Sequence, residues 1–471
     1  METLTPDICV IGAGSGGLSV AAAAAAFGVP VVLVEQGKMG GDCLNYGCVP
    51  SKALLAAARR AQALRTSAPF GVASQRPGVD FAKVHAHVHG VIAAIAPNDS
   101  KERFTGLGVR VIEGTARFKD RHTVAVGDAI EIKARRFVVA TGSMPAAPPI
   151  PGLDQVAYLT NETVFDLAVC PEHLVVIGAG PIGLELAQAF RRLGANVTVL
   201  EAAVPLAKDD PECAAIVLDQ LAREGIAIRA GAEVVRVEPG LRPRVVVATS
   251  GGEETFEASH LLVATGRRPN IEGLDLAAAR IKSGPRGIVV NKRLRSSNKK
   301  VYAVGDVAGG LQFTHVANYH AGLVIRNALF RLRARVDDHL IPWVTYTDPE
   351  LAQVGATEAQ AGRARIRVLR WPYHENDRAQ AERETRGHIK VITTANGRIL
   401  GATIVGAHAG ELIATWTLAI AQGLNIRALA GMVVPYPTFA EIGKRAAITY
   451  FAASLTSPLV RRIIAWLRRF G

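Results

Sequence analysis

Three observations predict an α/β fold with two Rossmann-like units followed by a C-terminal α+β module. A short apolar run, a glycine turn and a helix-forming stretch occur twice, in residues 7–17 and 172–183. Each copy continues into a second apolar strand that ends in an acid, Glu35 or Glu201. Beyond residue 341 the composition changes, and strand-like and helix-like segments alternate. The repeat therefore indicates two βαβ dinucleotide-binding domains in one chain.

The composition is that of a globular enzyme. The chain has 471 residues, of which 49% are hydrophobic and 20% charged, so several domains with buried cores are expected. No apolar run is long enough to span a membrane, and residues 1–6 do not begin a secretory signal. We therefore expect a soluble, cytoplasmic protein. Five cysteines are too few for a disulfide scaffold.

Further glycine turns define the domain boundaries. Strand-like segments end in such turns within residues 137–143, 261–270 and 301–310, where open α/β sheets bind ligands. A proline-rich linker leads into the second copy of the repeat, and a later segment returns the chain to the first unit. The predicted domains are a first dinucleotide-binding domain (1–150 with 271–340), a second one (151–270), an α+β domain (341–455) and a basic tail (456–471).

The first glycine loop consists of Gly12, Gly14 and Gly17. Glycines allow backbone N–H groups to approach a pyrophosphate at the N-terminus of the following helix, and Glu35 is placed to accept hydrogen bonds from a ribose. The strand, the helix and the acid are all present, so this context predicts dinucleotide binding far more specifically than the glycines alone.

The second glycine loop consists of Gly178, Gly180 and Gly183, and Glu201 closes the strand that follows. A carboxylate at this position favours a ribose 2′-hydroxyl and repels a 2′-phosphate. Residues 202–204 include no base that could hold such a phosphate. The second loop therefore favours NAD(H) over NADP(H).

The segment from Gly40 to Lys52, GGDCLNYGCVPSK, contains two cysteines separated by four residues, Cys43 and Cys48. A zinc site would need two more ligands, and the sequence has no second cysteine pair. A helix is expected to begin near Cys48, and a helix N-terminus lowers the pKa of a thiol. Lys52 would then lie one turn further along on the same helix face.

This segment resembles the redox-disulfide helix of the class I pyridine nucleotide-disulfide oxidoreductases, the family of dihydrolipoamide dehydrogenase, glutathione reductase and mercuric reductase. The resemblance runs from about residue 5 to about residue 450 and rests on separate motifs in the right order. It implies FAD in the first domain, NAD in the second, and a homodimer formed through the α+β domain. Electrons would pass from NADH through the flavin to the cysteine pair.

The resemblance also implies roles for single residues. Cys48 would be the flavin-adjacent thiol, and Cys43 the interchange thiol that meets the substrate. Lys52 would lie near flavin N5 and pair with Glu185, from the helix after the second glycine loop. Further positions match residues that line the cofactors, namely Ala116, Gly142, Asp306 and Thr314 for FAD and Gly266 for NAD.

The chain departs from the family at a C-terminal HxHPTxxE motif, whose last histidine works with the glutamate as an acid-base pair from the partner subunit. Residues 434–441 read VPYPTFAE, so Tyr436 replaces that histidine and Glu441 is retained. Tyrosine has a pKa near ~10 and is a poor base at pH 7. We expect inefficient reduction of disulfide substrates. Tyr436 is interpreted either as a chemical participant or as an interface packing residue.

Several functional hypotheses remain open at this point. The first is a paralogue resembling mercuric reductase or dihydrolipoamide dehydrogenase whose acceptor is a small molecule, a metal ion or a quinone. The others are a true mercuric reductase, a dihydrolipoyl dehydrogenase, and a slow redox-sensing flavin-binding protein. Mercuric reductases deliver metal with a C-terminal cysteine pair, whereas the last cysteine here is Cys213.

The histidines do not indicate a metal site. His85, His87 and His89 alternate and would share one face of a strand. The surrounding sequence favours a helix, on which they would scatter. We therefore predict no resident metal.

The net charge of +13 comes mostly from scattered arginines and does not indicate a nucleic-acid partner, because such a footprint requires clustering. The exception is the tail. From Pro458 onward, apolar residues follow helical spacing, interleaved with Arg461, Arg462, Arg468 and Arg469. Such a helix would either pack on its own dimer or contact a membrane surface peripherally.

Overall fold

Strands and helices alternate along the part of the chain that the computed structural model describes, which comprises residues 1–362, 366–452 and 457–471. Its helices are α1 (Ser15–Ala26), α2 (Gly41–Asn45), α3 (Cys48–Arg65), α4 (Phe81–Ile95), α5 (Lys101–Gly106), α6 (Pro181–Leu193), α7 (Pro211–Arg223), α8 (Thr314–Ala328), α9 (Glu358–Ala361), α10 (Asp377–Glu382), α11 (Ala409–Ala421), α12 (Ile426–Gly431), α13 (Glu441–Thr449) and α14 (Pro458–Leu467).

The strands follow the same chain order. They are β1 (Glu2–Leu4), β2 (Ile8–Ile11), β3 (Val31–Glu35), β4 (Val109–Glu113), β5 (Ala116–Phe118), β6 (Val124–Val126), β7 (Ile130–Ile132), β8 (Arg136–Val139), β9 (Ser143–Pro145), β10 (His173–Ile177), β11 (Asn196–Glu201), β12 (Ala227–Ala230), β13 (Glu233–Glu238), β14 (Arg244–Thr249), β15 (Gly252–Glu257), β16 (His260–Val263), β17 (Arg267–Pro269), β18 (Ser283–Gly284), β19 (Gly287–Ile288), β20 (Val301–Ala303), β21 (Trp343–Thr345), β22 (Glu350–Gly355), β23 (Ile366–Pro372), β24 (His388–Thr394) and β25 (Ile399–Gly406).

The chain divides into two compact units. The first comprises Met1–Ala202 with Gly231–Val336, and the second comprises Ala203–Ala230 with Asp337–Gly471. Both copies of the glycine-loop repeat begin in the first unit, and the C-terminal α+β module lies in the second. The finer division of the chain into cofactor-binding domains stays a prediction.

A parallel sheet with the order β20-β8-β2-β3-β4 surrounds the first glycine loop. Both faces of β2 are buried, because side chains alternate between them: Ile8 and Val10 enter one apolar core, whereas Cys9 and Ile11 enter another. Helix α1 covers the first face with small side chains, which allows close approach to the sheet. The carboxyl ends of β2, β8 and β20 meet at one edge, where ligands bind in such sheets.

The second copy repeats this arrangement. Strands β11, β10 and β16 pair in parallel, and the four apolar residues of β10 are all buried. Helix α6 follows with nearly all of its residues buried, and the separate sheet β13-β14-β15 is antiparallel. The predicted pair of βαβ units in an α/β fold is therefore confirmed.

The second unit contains an antiparallel sheet with the order β21-β22-β25-β24-β23. Helices α11 and α13 contribute apolar residues to its core, including the buried Trp416. Lys390 is almost fully buried in this unit and forms ion pairs of 2.8 Å with Asp210 and 2.7 Å with Glu358. The predicted α+β module is confirmed as an element arrangement.

Two sequence-based expectations concern exposed helices. The stretch containing the three histidines is the helix α4, as expected. The expectation that they scatter is wrong for two of them: His85 and His89 are one turn apart, and their ring centroids lie 4.2 Å from each other. The tail forms α14 from Pro458, as predicted, while residues 455 and 456 of that prediction lie outside the described residues. Within the described chain, no helix is both long and apolar enough to cross a membrane.

Candidate active site

The first glycine loop has no room for a larger residue at Gly12 or Gly17. Gly12 has φ +102°, and a Cβ there would lie 2.5 Å from the Ala140 oxygen, while a Cβ on Gly17 would lie 1.9 Å from the Gly12 oxygen. The Glu35 carboxylate accepts a hydrogen bond of 2.5 Å from the Ala13 N–H. The loop thus brings the N-terminus of α1 and a carboxylate together, as a dinucleotide site requires.

The second glycine loop has the same geometry. Gly178 has φ +108°, and a Cβ on Gly183 would lie 2.1 Å from the Gly178 oxygen. The Glu201 carboxylate accepts a hydrogen bond of 2.8 Å from the Ala179 N–H. In both copies this carboxylate lies 22 residues beyond its donor, so the repeat in sequence is a repeat in geometry.

The cysteine pair lies at the junction of α2 and α3. Cys43 belongs to α2, and Cys48 is the first residue of α3, which confirms the predicted helix start. Both thiols are free, and they form a hydrogen bond with each other. The Cys48 sulfur also lies 3.5 Å from the Thr314 hydroxyl, at the start of α8.

The two thiols differ in acidity. The hydrogen bond from Cys43 lowers the pKa of Cys48 to about 6 against the cost of burial, and Thr314 and the Lys52 charge lower it further. The same hydrogen bond, together with burial, raises the pKa of Cys43 well above its ordinary value. At pH 7, Cys48 is therefore a thiolate, by roughly ten to one. Cys43 holds the proton that the two sulfurs share.

The ammonium group of Lys52 is held one turn beyond Cys48. Its Nζ lies 2.9 Å from the Glu185 carboxylate, which is buried on α6. The pairing that the family resemblance implied is therefore present. It holds a cation beside the thiolate, where opposite charge favours the ionised thiol.

The remaining predicted positions lie in the first unit. Asp306 is mostly buried beyond the end of β20, and burial raises the pKa of its carboxyl group, although Ser143 donates a hydrogen bond of 2.5 Å to it. The other positions are distributed over strand ends, turns and helix starts, namely the buried Ala116 at the start of β5, Gly142 (φ +69°), Gly266 (φ +145°), and Gly14 and Gly180 before α1 and α6.

One ion pair in this region was not predicted from the sequence. Arg267, on β17, lies 3.2 Å from the carboxylate of Asp42, the residue before Cys43. Its side chain also donates hydrogen bonds of 2.7 Å to the Ser143 hydroxyl and 3.3 Å to the side-chain amide oxygen (Oδ1) of Asn161. Both charged residues stand inside motifs already singled out, and a charge beside a reactive cysteine is a signal that could have found them.

Tyr436 and Glu441 lie in the second unit. The Tyr436 hydroxyl donates a hydrogen bond of 2.8 Å to Asp377, and this bond raises the pKa of the phenol. Glu441 is the first residue of α13, 3.9 Å from the Arg445 guanidinium. The phenol therefore stays protonated at neutral pH and has no basic character there.

The residues of the first unit fit FAD and a pyridine nucleotide. Each glycine loop leaves a cradle that a Cβ would fill, followed by a helix N-terminus without a side-chain cap. A carboxylate stands at each loop for a ribose, and the buried Asp306 carboxyl and the Thr314 hydroxyl supply further polar groups on the first. Two nucleotide-binding glycine loops and a cysteine pair define the class of protein: an oxidoreductase that binds two nucleotide cofactors and carries a dithiol.

Comparison with known protein families shows which family of this class the chain belongs to. Residues 6–321 match the pyridine nucleotide-disulphide oxidoreductase model, and residues 341–447 match the dimerisation domain of the same family. The chain belongs to the pyridine nucleotide-disulphide oxidoreductase family and is an FAD-dependent NAD(P)H oxidoreductase. The dimerisation domain supports a homodimer.

Individual relatives agree with the family. The chain is 37% identical to a mercuric reductase of Lysinibacillus sphaericus over 450 residues, 94% of this chain and 82% of the relative. It is 35% identical to a dihydrolipoyl dehydrogenase of Geobacillus stearothermophilus over 454 residues, 94% and 95% of the two chains. It resembles the Cu(II) complex of the HOCl-induced flavoprotein disulfide reductase RclA from Escherichia coli, with a TM-score of 0.84, 28% identity and coverage of 93% and 98%.

Proposed function

We propose that the protein transfers two electrons from NADH through FAD to the Cys43–Cys48 pair, and from there to an acceptor that needs no histidine as a proton donor. The observation that carries this proposal is the placement of the cysteine pair: Cys48 begins α3 with its sulfur 3.5 Å from the Thr314 hydroxyl, and Lys52, one turn further on, is held by Glu185. The lowered pKa of Cys48 and the raised pKa of Cys43 agree with it. Bound FAD supplies the capacity to take up a hydride and release its two electrons.

Residues of this chain stabilise the negative charge and hold the proton that reduction of the disulfide produces and takes up. Reduction of the Cys43–Cys48 disulfide takes up two electrons and one proton, breaks the S–S bond, and leaves Cys43 as a thiol and Cys48 as a thiolate. Lys52 stabilises the thiolate, and Glu185 holds Lys52 in place through the 2.9 Å ion pair. Cys43 is the sulfur that then reduces the acceptor.

The second loop supports NADH as the donor. The Glu201 carboxylate is fixed at the loop by the Ala179 N–H, where it would accept from a ribose 2′-hydroxyl and repel a 2′-phosphate. Replacing Glu201 by Ser and Ala202 by Arg together should lower the KM for NADPH by roughly tenfold and raise that for NADH, since the repulsion is removed and a base is added. Unchanged KM values for both nucleotides would contradict this assignment.

We propose a metal ion or a quinone as the acceptor class. Tyr436 holds its proton in a bond to Asp377, so it does not replace the histidine of disulfide-reducing members. The similarity to mercuric reductases and to a flavoprotein solved with Cu(II) supports a metal ion in particular. A metal ion accepts electrons without needing a proton on a leaving thiolate.

The acceptor class is tested by steady-state NADH oxidation with Hg(II), Cu(II), lipoamide, glutathione disulfide and a soluble quinone. We expect metal ion or quinone to exceed both disulfides in kcat/KM, and Cys43→Ser to lose the metal-dependent rate. Preferred turnover of lipoamide would instead identify a dihydrolipoyl dehydrogenase. Turnover of none would favour the redox-sensing alternative.

We further propose that α14 contacts anionic membrane surfaces. Six large apolar side chains of residues 457–471 are exposed, from Ile463 at 48% to Phe470 at 73%. Residues 457–471 contain four arginines and no acid. Each arginine near an anionic bilayer contributes about 1 kcal/mol of attraction.

Vesicle co-sedimentation tests this contact. Deletion of residues 457–471, or Trp466→Ser with Phe470→Ser, should abolish salt-sensitive binding to vesicles that contain phosphatidylglycerol. Val433→Ser, at an even more exposed apolar residue outside α14, is the control and should bind normally. If the tail deletion changes the oligomeric state and not vesicle binding, α14 is a subunit-packing helix instead.

A further inference from the structure

Asp42 immediately precedes Cys43, and its carboxylate lies against the segment that joins the two cysteines. One of its oxygens is 3.2 Å from the Arg267 guanidinium and accepts a hydrogen bond of 3.1 Å from the Asn161 amide. The other oxygen packs over Gly47, where a Cβ would lie only 3.1 Å from it. The half-buried Asp42 carboxylate is therefore held beside Gly47, the residue before Cys48, by Arg267 and Asn161.

Arg267 is placed to neutralise this charge. Its side chain is only 12% exposed, and the guanidinium donates to the hydroxyl and the carbonyl of Ser143. The same group lies 3.8 Å from Asp306, so one cation serves two carboxylates. A planar guanidinium suits this position because it makes several directed bonds without losing its charge.

The charges of Asp42 and Arg267 affect the pKa values of neighbouring groups. Burial and Asp42 raise the pKa of Glu162, whereas Arg267 lowers it. At Cys48, Asp42 acts against the hydrogen bond from Cys43 and the charge of Lys52, which both favour the thiolate. Charges of both signs therefore act on Cys48, namely Lys52 and the opposing Asp42, and Arg267 acts through its ion pair with Asp42.

We propose that the Asp42–Arg267 ion pair sets the reduction potential of the Cys43–Cys48 pair. This rests on the proposed function, in which reduction by the flavin leaves Cys43 as a thiol and Cys48 as a thiolate. The reduced state thus carries one more negative charge than the disulfide. Asp42 disfavours that added charge, and Arg267 compensates for it, so the two residues are positioning and tuning groups with opposite effects.

Two variants that each remove one charge give opposite predictions. Asp42→Asn should shift the dithiol/disulfide equilibrium towards the dithiol, and Arg267→Gln should shift it towards the disulfide. Each shift should be roughly tenfold, which is ~30 mV for a two-electron couple. A loss of structure alone has no reason to produce shifts of opposite sign.

The measurement is a redox equilibration of the FAD-loaded protein in lipoate/dihydrolipoate buffers, followed by thiol alkylation and mass spectrometry of the Cys43–Cys48 peptide. Arg267→Lys keeps the charge and should stay close to wild type, and Asp128→Asn, an exposed carboxylate elsewhere in the first unit, should not shift. If Arg267→Gln loses FAD, the Asp42→Asn and Arg267→Lys results decide the question.

Shifts of the same sign in Asp42→Asn and Arg267→Gln, or an unshifted Asp42→Asn, would overturn the proposal. A wild-type protein in which Cys43 and Cys48 never form a disulfide would instead overturn the proposed function. The two failures are therefore distinguishable.

Discussion

At the scale of single residues, the thiols of Cys43 and Cys48 differ in pKa although the two side chains are identical. Cys48 has a pKa lowered to about 6 by the hydrogen bond from Cys43 and by its other neighbours, whereas the pKa of Cys43 is raised by that bond and by burial. Sequence position contributes as well, because Cys48 begins the 18-residue helix α3 and receives the favourable end of its dipole. Because of this difference in pKa, the Cys48 sulfur carries the negative charge and the Cys43 sulfur holds the proton.

The first prediction is a pH dependence. In the NADH-reduced protein, long-wavelength thiolate-to-flavin absorbance should persist at neutral pH and be lost as the pH falls through about 6, because protonation of Cys48 removes the thiolate. Lys52→Met should raise the midpoint by roughly one pH unit, since a cation that favours the thiolate is removed. Lys83→Met, at an exposed lysine, is the control. A Lys52→Met midpoint equal to or below that of wild type would contradict the assignment.

The second prediction concerns Tyr436. Because its hydroxyl is held protonated by Asp377, Tyr436→Phe should change kcat with a metal ion or quinone by less than about threefold. Tyr436→His should raise turnover of lipoamide, since histidine titrates near neutrality. Parallel steady-state assays with both acceptors check this. A large loss of metal-dependent kcat in Tyr436→Phe would show that the phenol takes part in the chemistry.

Most of the site could be predicted from the sequence, either because its residues form local motifs or because they match positions of the family. The glycines, the cysteine pair and the Lys52–Glu185 pair were expected, and the structure brings them into place. The contact between Asp42 and Arg267 was not, because it joins two turns distant in sequence, and no periodicity encodes such a contact. The approach of His85 and His89 was also missed, although their i,i+4 spacing implies it on a helix.

At the scale of elements, the repeated strand–turn–helix accounts for the fold. Strand β8 ends at Val139, inside the predicted segment 137–143, and the predicted glycine turn follows at Gly142, whose φ of +69° cannot continue a strand. Pairing between β9 and β17, which connects the two glycine-turn segments, was beyond a sequence-based argument. Strand existence follows from local apolar runs, whereas strand pairing is decided by tertiary contacts.

The third prediction tests the second glycine loop. Gly183→Ala should raise the KM for NADH by roughly tenfold or more, because its Cβ would lie 2.1 Å from a backbone oxygen of the loop. The flavin spectrum should be retained, since the first loop is unchanged. Gly322→Ala on α8 is the matched control, because nothing lies within 4 Å of that Cβ. An unchanged KM in Gly183→Ala would argue against nucleotide binding at this loop.

At the scale of the whole molecule, we expect dimer formation to be independent of the C-terminal tail. The dimerisation-domain match covers residues 341–447, and α14 lies beyond it. The fourth prediction is that a chain ending at residue 452 remains a dimer with unchanged NADH oxidation, measured by light scattering and steady-state assay. A monomeric truncated protein would assign α14 to the subunit interface.

The central claim is that the Cys48 thiolate lies against the flavin and exchanges charge with it. Anaerobic titration of the FAD-loaded protein with NADH, followed at long wavelength, tests this directly. The wild-type protein should develop a charge-transfer band after two electrons, Cys43→Ser should keep the band, and Cys48→Ser should lack it. A wild-type protein without the band, or a band that survives in Cys48→Ser, would contradict the account.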